Sequence, residues 1–211
     1  MNPVAWTLLA ATGLVAVADW AAVARTLTRL EYAAKPAVMA GLILVAAAMH
    51  PVSGTERAFF VAALALGLAS DVFLMLPRDL FLMGLVAALA EHVTYIAGFR
   101  ARDFHGGLFL VAIVVALVSS AVFLPPILRA LRRTQPKLVV PVIAYVVVFV
   151  VMVASAGGSG SLVALAGALL FLYSDALLAW YRFVKPLSWG RFANIIAYHS
   201  GQALLVLSLA F

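Results

Sequence analysis

The sequence predicts an all-α polytopic membrane protein: about eight transmembrane helices in a single domain, arranged as a parallel repeat of four helices plus four. Three observations carry this expectation. The 211 residues are 66% hydrophobic and only 10% charged, with a mean hydropathy of +1.15, whereas soluble domains carry about 25% charged residues. The apolar residues form Ala/Leu/Val runs near the ~20 residues a helix needs to cross a bilayer, not the ~10-residue alternating segments of an outer-membrane barrel. Two similar stretches, Gly67 to Leu74 and Phe171 to Leu178, each set a Ser-Asp pair inside such a run.

The spans are expected at 4–23, 36–50, 57–76, 80–99, 106–124, 138–155, 161–181 and 190–210. The first begins after Pro3 with no basic residue before it. A cleaved signal needs a positive leading segment, so this run is expected to be a retained helix. The second opens at Lys35-Pro36, and the third carries Ser70-Asp71 near its end before Pro77. The fourth holds Glu91, His92 and Tyr95, and the fifth stops at Pro125-Pro126. The sixth has Pro141 in its first turn, and Gly157-Gly158-Ser159-Gly160 turns it into the seventh, which carries Ser174-Asp175 before Pro186. Prolines are tolerated at helix starts and break helices elsewhere, so Pro36, Pro77, Pro125-Pro126 and Pro186 are read as span ends. The eighth holds Asn194, Tyr198, His199 and Gln202.

Charge sets the orientation. Arg25, Arg29, Lys35, Arg78, Arg129, Arg132, Arg133, Lys137, Arg182, Lys185 and Arg191 fall after odd-numbered spans, 11 of the 14 basic residues. The positive-inside rule then makes that side cytoplasmic and puts both termini outside, as in a bacterial inner membrane. The net charge of +6 reflects these loops, and no nucleic-acid partner is expected. With no cysteine in the chain, disulfides, thiol nucleophiles and thiolate metal sites are excluded.

The repeat rests on spacing. Asp71 and Asp175 are 104 residues apart, and Lys35-Pro36 and Pro136-Lys137 stand 36 and 38 residues before them. Halves of about 1–104 and 105–211 with four spans each would be parallel repeats about an axis along the membrane normal.

The candidate chemistry is carboxylate chemistry. An acid inside a span costs about 2.5–3.5 kcal/mol on insertion scales, so two in matching settings point to use. Each is expected roughly six residues from the cytoplasmic end of its helix, on the order of 9 Å deep. Glu91, His92 and Tyr95 can share a broad face of the fourth span. Asn194, Tyr198 and Gln202 form an i, i+4, i+8 stripe on the eighth, with His199 beside it. Such stripes must face protein or water, so spans three, four, seven and eight are expected to enclose a polar cavity. Every one of these residues also has a purely structural use, as a brace or interhelical hydrogen bond. Asp19, beside Trp20, is expected to reach the interface. Lys35, Arg182 and Lys185 serve topology, with a weaker second use in holding a phosphate headgroup. His92, His199, Asp71 and Asp175 are ligand types zinc accepts, but no HxxxH or HExxH spacing occurs, and no metal or cofactor is expected.

The run Gly67 to Leu74 followed by Pro77, Phe81, Gly84-Leu85, His92 and Tyr95 resembles the first signature of the YhhN-like family of membrane proteins. Gly167 to Ala179, with Phe171, Ser174-Asp175 and Leu178, then Tyr198 and Gln202, resembles its second. Lys35-Pro36 also resembles a family feature near the second span. The resemblance covers nearly the whole chain. It departs at Glu91, where a small residue is expected before His92, and at His199 after Tyr198. It implies eight helices, two essential aspartates matching Asp71 and Asp175, and lysoplasmalogenase activity: hydrolysis of the vinyl ether bond of a lysophospholipid drawn from membrane lipid, with ethanolamine or choline as headgroup. That reaction needs one protonated carboxyl to protonate the alkene carbon and one ionised carboxylate to stabilise the oxocarbenium ion and deprotonate water, as in glycosidases. Asp71 is expected as the acid and Asp175 as the base, with His92, Tyr95, Asn194, Tyr198, His199, Gln202 and Glu91 orienting substrate and water. The alternatives are a proton-coupled transporter using both aspartates, and a scaffold in which they only brace helices.

Overall fold

A computed structural model describes residues 1–211. Eight helices run α1 (Pro3–Ala24), α2 (Thr28–Ala48), α3 (Gly54–Met75), α4 (Phe81–Phe99), α5 (Gly106–Thr134), α6 (Val139–Gly158), α7 (Leu162–Phe183) and α8 (Gly190–Leu207). All eight are long and apolar enough to cross a membrane, and the chain is an integral membrane protein. Short 3-10 turns, Pro136–Leu138 and Ser208–Ala210, lead into α6 and follow α8.

Two boundaries differ from expectation for one reason. Pro36 lies inside α2 and Pro125-Pro126 inside α5. A proline costs a hydrogen bond in an isolated helix, but inside a bundle neighbouring helices and local adjustment re-satisfy the freed backbone. So α2 starts at Thr28, with a connection from α1 of only Arg25 to Leu27. Lys35 is therefore two turns inside a helix, not at its mouth. The 29 residues of α5 extend about 43 Å, beyond the ~30 Å hydrocarbon core, and carry Arg129, Arg132 and Arg133 out of it.

Neighbours in sequence pack as neighbours in space. α1 lies on α2, α2 on α3 and α3 on α4; α5 lies on α6, α6 on α7 and α7 on α8. The two sets join where α4 meets α6 and α8 meets α2 and α1. α7 and α8 approach each other closely through a pair of glycines. A Cβ on Gly167 would stand 2.8 Å from the Gly201 carbonyl oxygen, and one on Gly201 would stand 2.9 Å from that of Gly167. Only glycine fits at either place, and the reciprocal pair brings the two backbones together as small residues do in membrane helix pairs.

The end of the bundle away from the basic loops is tied by buried charge. Glu56 has no exposed surface, and Arg102 Nε lies 2.8 Å from both of its carboxylate oxygens. The same guanidinium donates to the carbonyls of Ser208 and Phe211. This clamp fixes α3, the α4–α5 loop and the C-terminus, so the opposite end is left for the site.

Candidate active site

Asp71 stands four residues before the end of α3 and Asp175 eight before the end of α7. At 1.5 Å per residue these are depths of about 6 and 12 Å from the helix ends. Both acids line one cavity of about 390 Å³ that opens toward the basic end of the bundle. That is within the size range of small-molecule sites. Helices α3, α4, α7 and α8 all contribute to it, as expected, but so do α2, α5 and α6, and α1 through Val23. Those additions supply the two partners that distinguish the acids.

Asp71 is 3% exposed. Lys35 Nζ of α2 lies 2.7 Å from its Oδ1, and the Tyr198 hydroxyl donates to its Oδ2 at 2.8 Å. Lys35 also lies 5.2 Å from the centre of the Tyr198 ring. Asp175 has no cation at contact distance. The Tyr145 hydroxyl of α6 donates to its Oδ2, and Ser174 Oγ approaches its Oδ1 at 3.3 Å. His92 Nε2 is hydrogen-bonded to the same Tyr145 hydroxyl at 2.8 Å and stands 4.0 Å from Asp175. The His92 ring is wholly buried, 4.0 Å from the ring of Phe149 and 4.9 Å from that of Phe171.

The polar stripe of α8 works as a ladder, each rung reaching a different helix. Asn194 Nδ2 donates to the Ser174 carbonyl of α7 at 2.6 Å. Tyr198 reaches Asp71 of α3. Gln202, one turn deeper, donates to Glu91 Oε1 of α4 at 2.6 Å and accepts from the Tyr95 hydroxyl at 2.7 Å. Tyr95 and Gln202 are fully buried behind the cavity, whereas Glu91 lines it. Glu91 fits because Gly67 faces it: a Cβ there would lie 2.5 Å from Glu91 Oε1. The shared face expected of α4 is thus divided, with Glu91 and Tyr95 turned to α8 and His92 turned to α6 and α7. The two Ser-Asp serines differ as well. Ser70 Oγ donates to the Gly84 carbonyl and braces α3 on α4, while Ser174 Oγ donates to the Phe171 carbonyl within its own helix.

Asp19 does not reach the interface. It has no exposed surface, and its Oδ2 faces His199 Nε2 at 3.8 Å, while Trp20 Nε1 donates to His199 Nδ1 at 3.2 Å. His199 therefore belongs to an α1–α8 contact behind the cavity and not to its lining. The other basic residues expected at a headgroup also lie elsewhere. Arg182 pairs with Asp79 at 2.8 Å and lies over the ring of Phe81, and Lys185 is exposed away from the cavity. No three histidine or carboxylate side chains are grouped as metal ligands.

Tyr145 was not singled out by sequence. Its signal was available: it is the only hydrogen-bonding side chain in α6 between Leu138 and Ser155.

The cavity is amphipathic along its length. Glu31, Tyr32, Lys35 and Arg191, from α2 and α8, line one part, and Leu85, Leu124, Ile127 and Val142, from α4, α5 and α6, line another. The two acids share this cavity with charged residues on one set of helices and apolar residues on another.

The chain is similar in sequence to known proteins. Lysoplasmalogenase TMEM86B of Sus scrofa is 33% identical over 161 residues, 74% of this chain and 66% of that protein. The Homo sapiens protein of the same name is 30% identical over 173 residues, 81% of this chain and 70% of its own. That of Mus musculus is 29% identical over 158 residues, 74% and 65% respectively. The matched region thus spans about two thirds of the length of these relatives. No solved structure matches the chain. The model of the YhhN family matches residues 30–209, and the chain belongs to that family.

Proposed function

We propose that this protein is an intramembrane lysoplasmalogenase: it hydrolyses the vinyl ether bond of 1-alkenyl-glycerophosphoethanolamine or -choline to a fatty aldehyde and a glycerophospho-headgroup. The observation that carries the reading is the unequal pair of acids on one amphipathic cavity. The names of the relatives support the same reaction and give no support to a transporter.

The partners of the two acids support assigning their roles opposite to the sequence expectation. Asp71 has Lys35 to balance its charge, and Asp175 has only neutral hydroxyls. Of the protonated and ionised carboxyls the reaction needs, Asp175 is then the acid and Asp71 the base. Asp175 protonates the terminal alkene carbon, and the oxocarbenium ion forms beside ionised Asp71. Asp71 takes a proton from water as the oxygen adds, giving the hemiacetal. Asp175, now ionised, accepts the hemiacetal hydroxyl proton while Asp71 returns its proton to the departing glycerol oxygen. The aldehyde and the alcohol leave, and both carboxyls are reset. Tyr145 and His92 support the acid, because the hydrogen bonds from Asp175 through Tyr145 to His92 can run in either direction as the proton comes and goes. Tyr198 and Lys35 hold Asp71 in place, and Glu91 completes the floor.

The helix pairing, α1–α4 echoed by α5–α8, supports the parallel repeat of about 1–104 and 105–211 within one transmembrane domain. In a bacterial inner membrane the positive-inside rule turns the basic end, and the cavity mouth, to the cytoplasm and leaves both termini outside.

The test is product labelling. Purified protein given a synthetic lysoplasmalogen in deuterated water should release aldehyde with one deuteron on the carbon next to the carbonyl. In 18O-water the glycerol oxygen should stay unlabelled. Label in the glycerol, or release of an unsaturated alcohol, would contradict alkene protonation.

A further inference from the structure

The cavity mouth carries one pair of opposite charges, Glu31 and Arg191, that the ether cleavage does not use. Thr28, Glu31 and Lys35 lie at i, i+3 and i+7 on one face of α2 and line the cavity. Facing them, Arg191 at the start of α8 donates through Nη2 to both carboxylate oxygens of Glu31, each at 2.8 Å. The Arg191 side chain is 46% exposed and that of Glu31 16%, so this pair stands where the cavity meets solvent. Tyr32 lines the same rim.

We propose that Glu31 and Arg191 form a headgroup site that selects zwitterionic lysophospholipids, Glu31 taking the ammonium and Arg191 taking the phosphate. This rests on the reading of the cavity as a lysoplasmalogen site. The charge arithmetic favours a zwitterion. The free mouth sets one cation against one anion. A headgroup with one phosphate and one ammonium exchanges partners with them one for one, and neither side chain is left unpaired. An anionic headgroup without an amine takes Arg191 and leaves Glu31 beside a phosphate, a like-charge contact that disfavours it. Tyr32 offers an aromatic face to a quaternary ammonium.

The order along the helix agrees. Glu31 is one turn, about 6 Å, nearer the start of α2 than Lys35, and Lys35 touches Asp71. The headgroup site and the acids thus follow one another in the order in which the lipid carries headgroup and ether. Arg182 and Lys185 lie off this line.

The test compares 1-alkenyl-glycerophosphoethanolamine with 1-alkenyl-glycerol-3-phosphate as substrates of the full-length protein in detergent. The Glu31→Gln variant should lower the ratio of kcat/KM, zwitterion over phosphate monoester, by about tenfold, the scale of one charge-assisted contact. A ratio unchanged within about twofold, whether activity is kept or uniformly lost, would overturn the assignment. A second measurement separates this site from the reaction. Thermal stabilisation by the saturated 1-alkyl analogues, which cannot be hydrolysed as vinyl ethers, should favour the ethanolamine lipid in the unmodified protein and lose that preference in Glu31→Gln. If the unmodified protein releases no aldehyde but shows this preference, the headgroup site stands and the hydrolase reading falls. Equal stabilisation by both lipids in both proteins would overturn the headgroup site itself.

Discussion

Replacing Lys35 by Met tests the electrostatic core of the site. Lys35 Nζ lies 2.7 Å from Asp71 Oδ1, and the two side chains are 16% and 5% exposed. The pair is too enclosed for solvent to screen it as it screens surface bridges. Met keeps the bulk of the lysine stem and removes only the charge. Asp71 then retains a single hydrogen bond, from Tyr198. Removing one partner of a buried pair costs about 3–5 kcal/mol, whereas removing both charges together is close to neutral. Lys35→Met alone should therefore destabilise by about 3 kcal/mol, and Lys35→Met with Asp71→Asn should recover most of that, giving a coupling energy of about 2 kcal/mol or more. Reversible unfolding in mixed micelles measures all three variants. A single variant costing less than about 1 kcal/mol, or a double variant whose cost is the sum of the singles, would refute the claim that Lys35 neutralises Asp71.

Three further outcomes are expected. Tyr145→Phe removes the hydroxyl shared by Asp175 and His92; kcat should fall by about 10- to 100-fold, while stability changes by about 1 kcal/mol, as read by aldehyde release and thermal unfolding. Gly201→Ala drives a methyl to 2.9 Å from the Gly167 carbonyl and should cost about 1–3 kcal/mol, whereas Gly13→Ala, with nothing within 4 Å of the new Cβ, should be neutral or slightly stabilising. Arg102→Gln leaves Glu56 buried without its cation at the far end of the bundle and should cost about 3–5 kcal/mol, with KM of the remaining folded enzyme unchanged.

The eight helices were legible because composition alone separates bilayer-crossing runs from loops. Their ends were not, wherever a proline stood inside a helix. Reading Pro36 as a start placed Lys35 at the interface, and only the two earlier turns of α2 show that it reaches Asp71. The aspartates and the α8 stripe were legible because polar groups in an apolar run need partners, but the choice of partner was not. Nothing local to Tyr145 says that it faces α7 and not lipid. Asp19 was read as interfacial from its place near a helix end, and the contact of α1 with α8 turns it inward instead. Glu31 and Arg191 are 160 residues apart; the sequence marks Arg191 only as one of the basic residues that set orientation, and the fold alone sets the two across one opening.

The most direct test of the account compares the unmodified protein with Asp71→Asn and Asp175→Asn, matched for monodispersity and thermal stability, for aldehyde release from a synthetic lysoplasmalogen in detergent. Two acids that each move a proton in every turnover require that the unmodified protein release aldehyde and that both folded variants lose the activity. Full activity in either well-folded variant would contradict a two-aspartate mechanism. Activity lost only in step with stability would reduce the aspartates to braces.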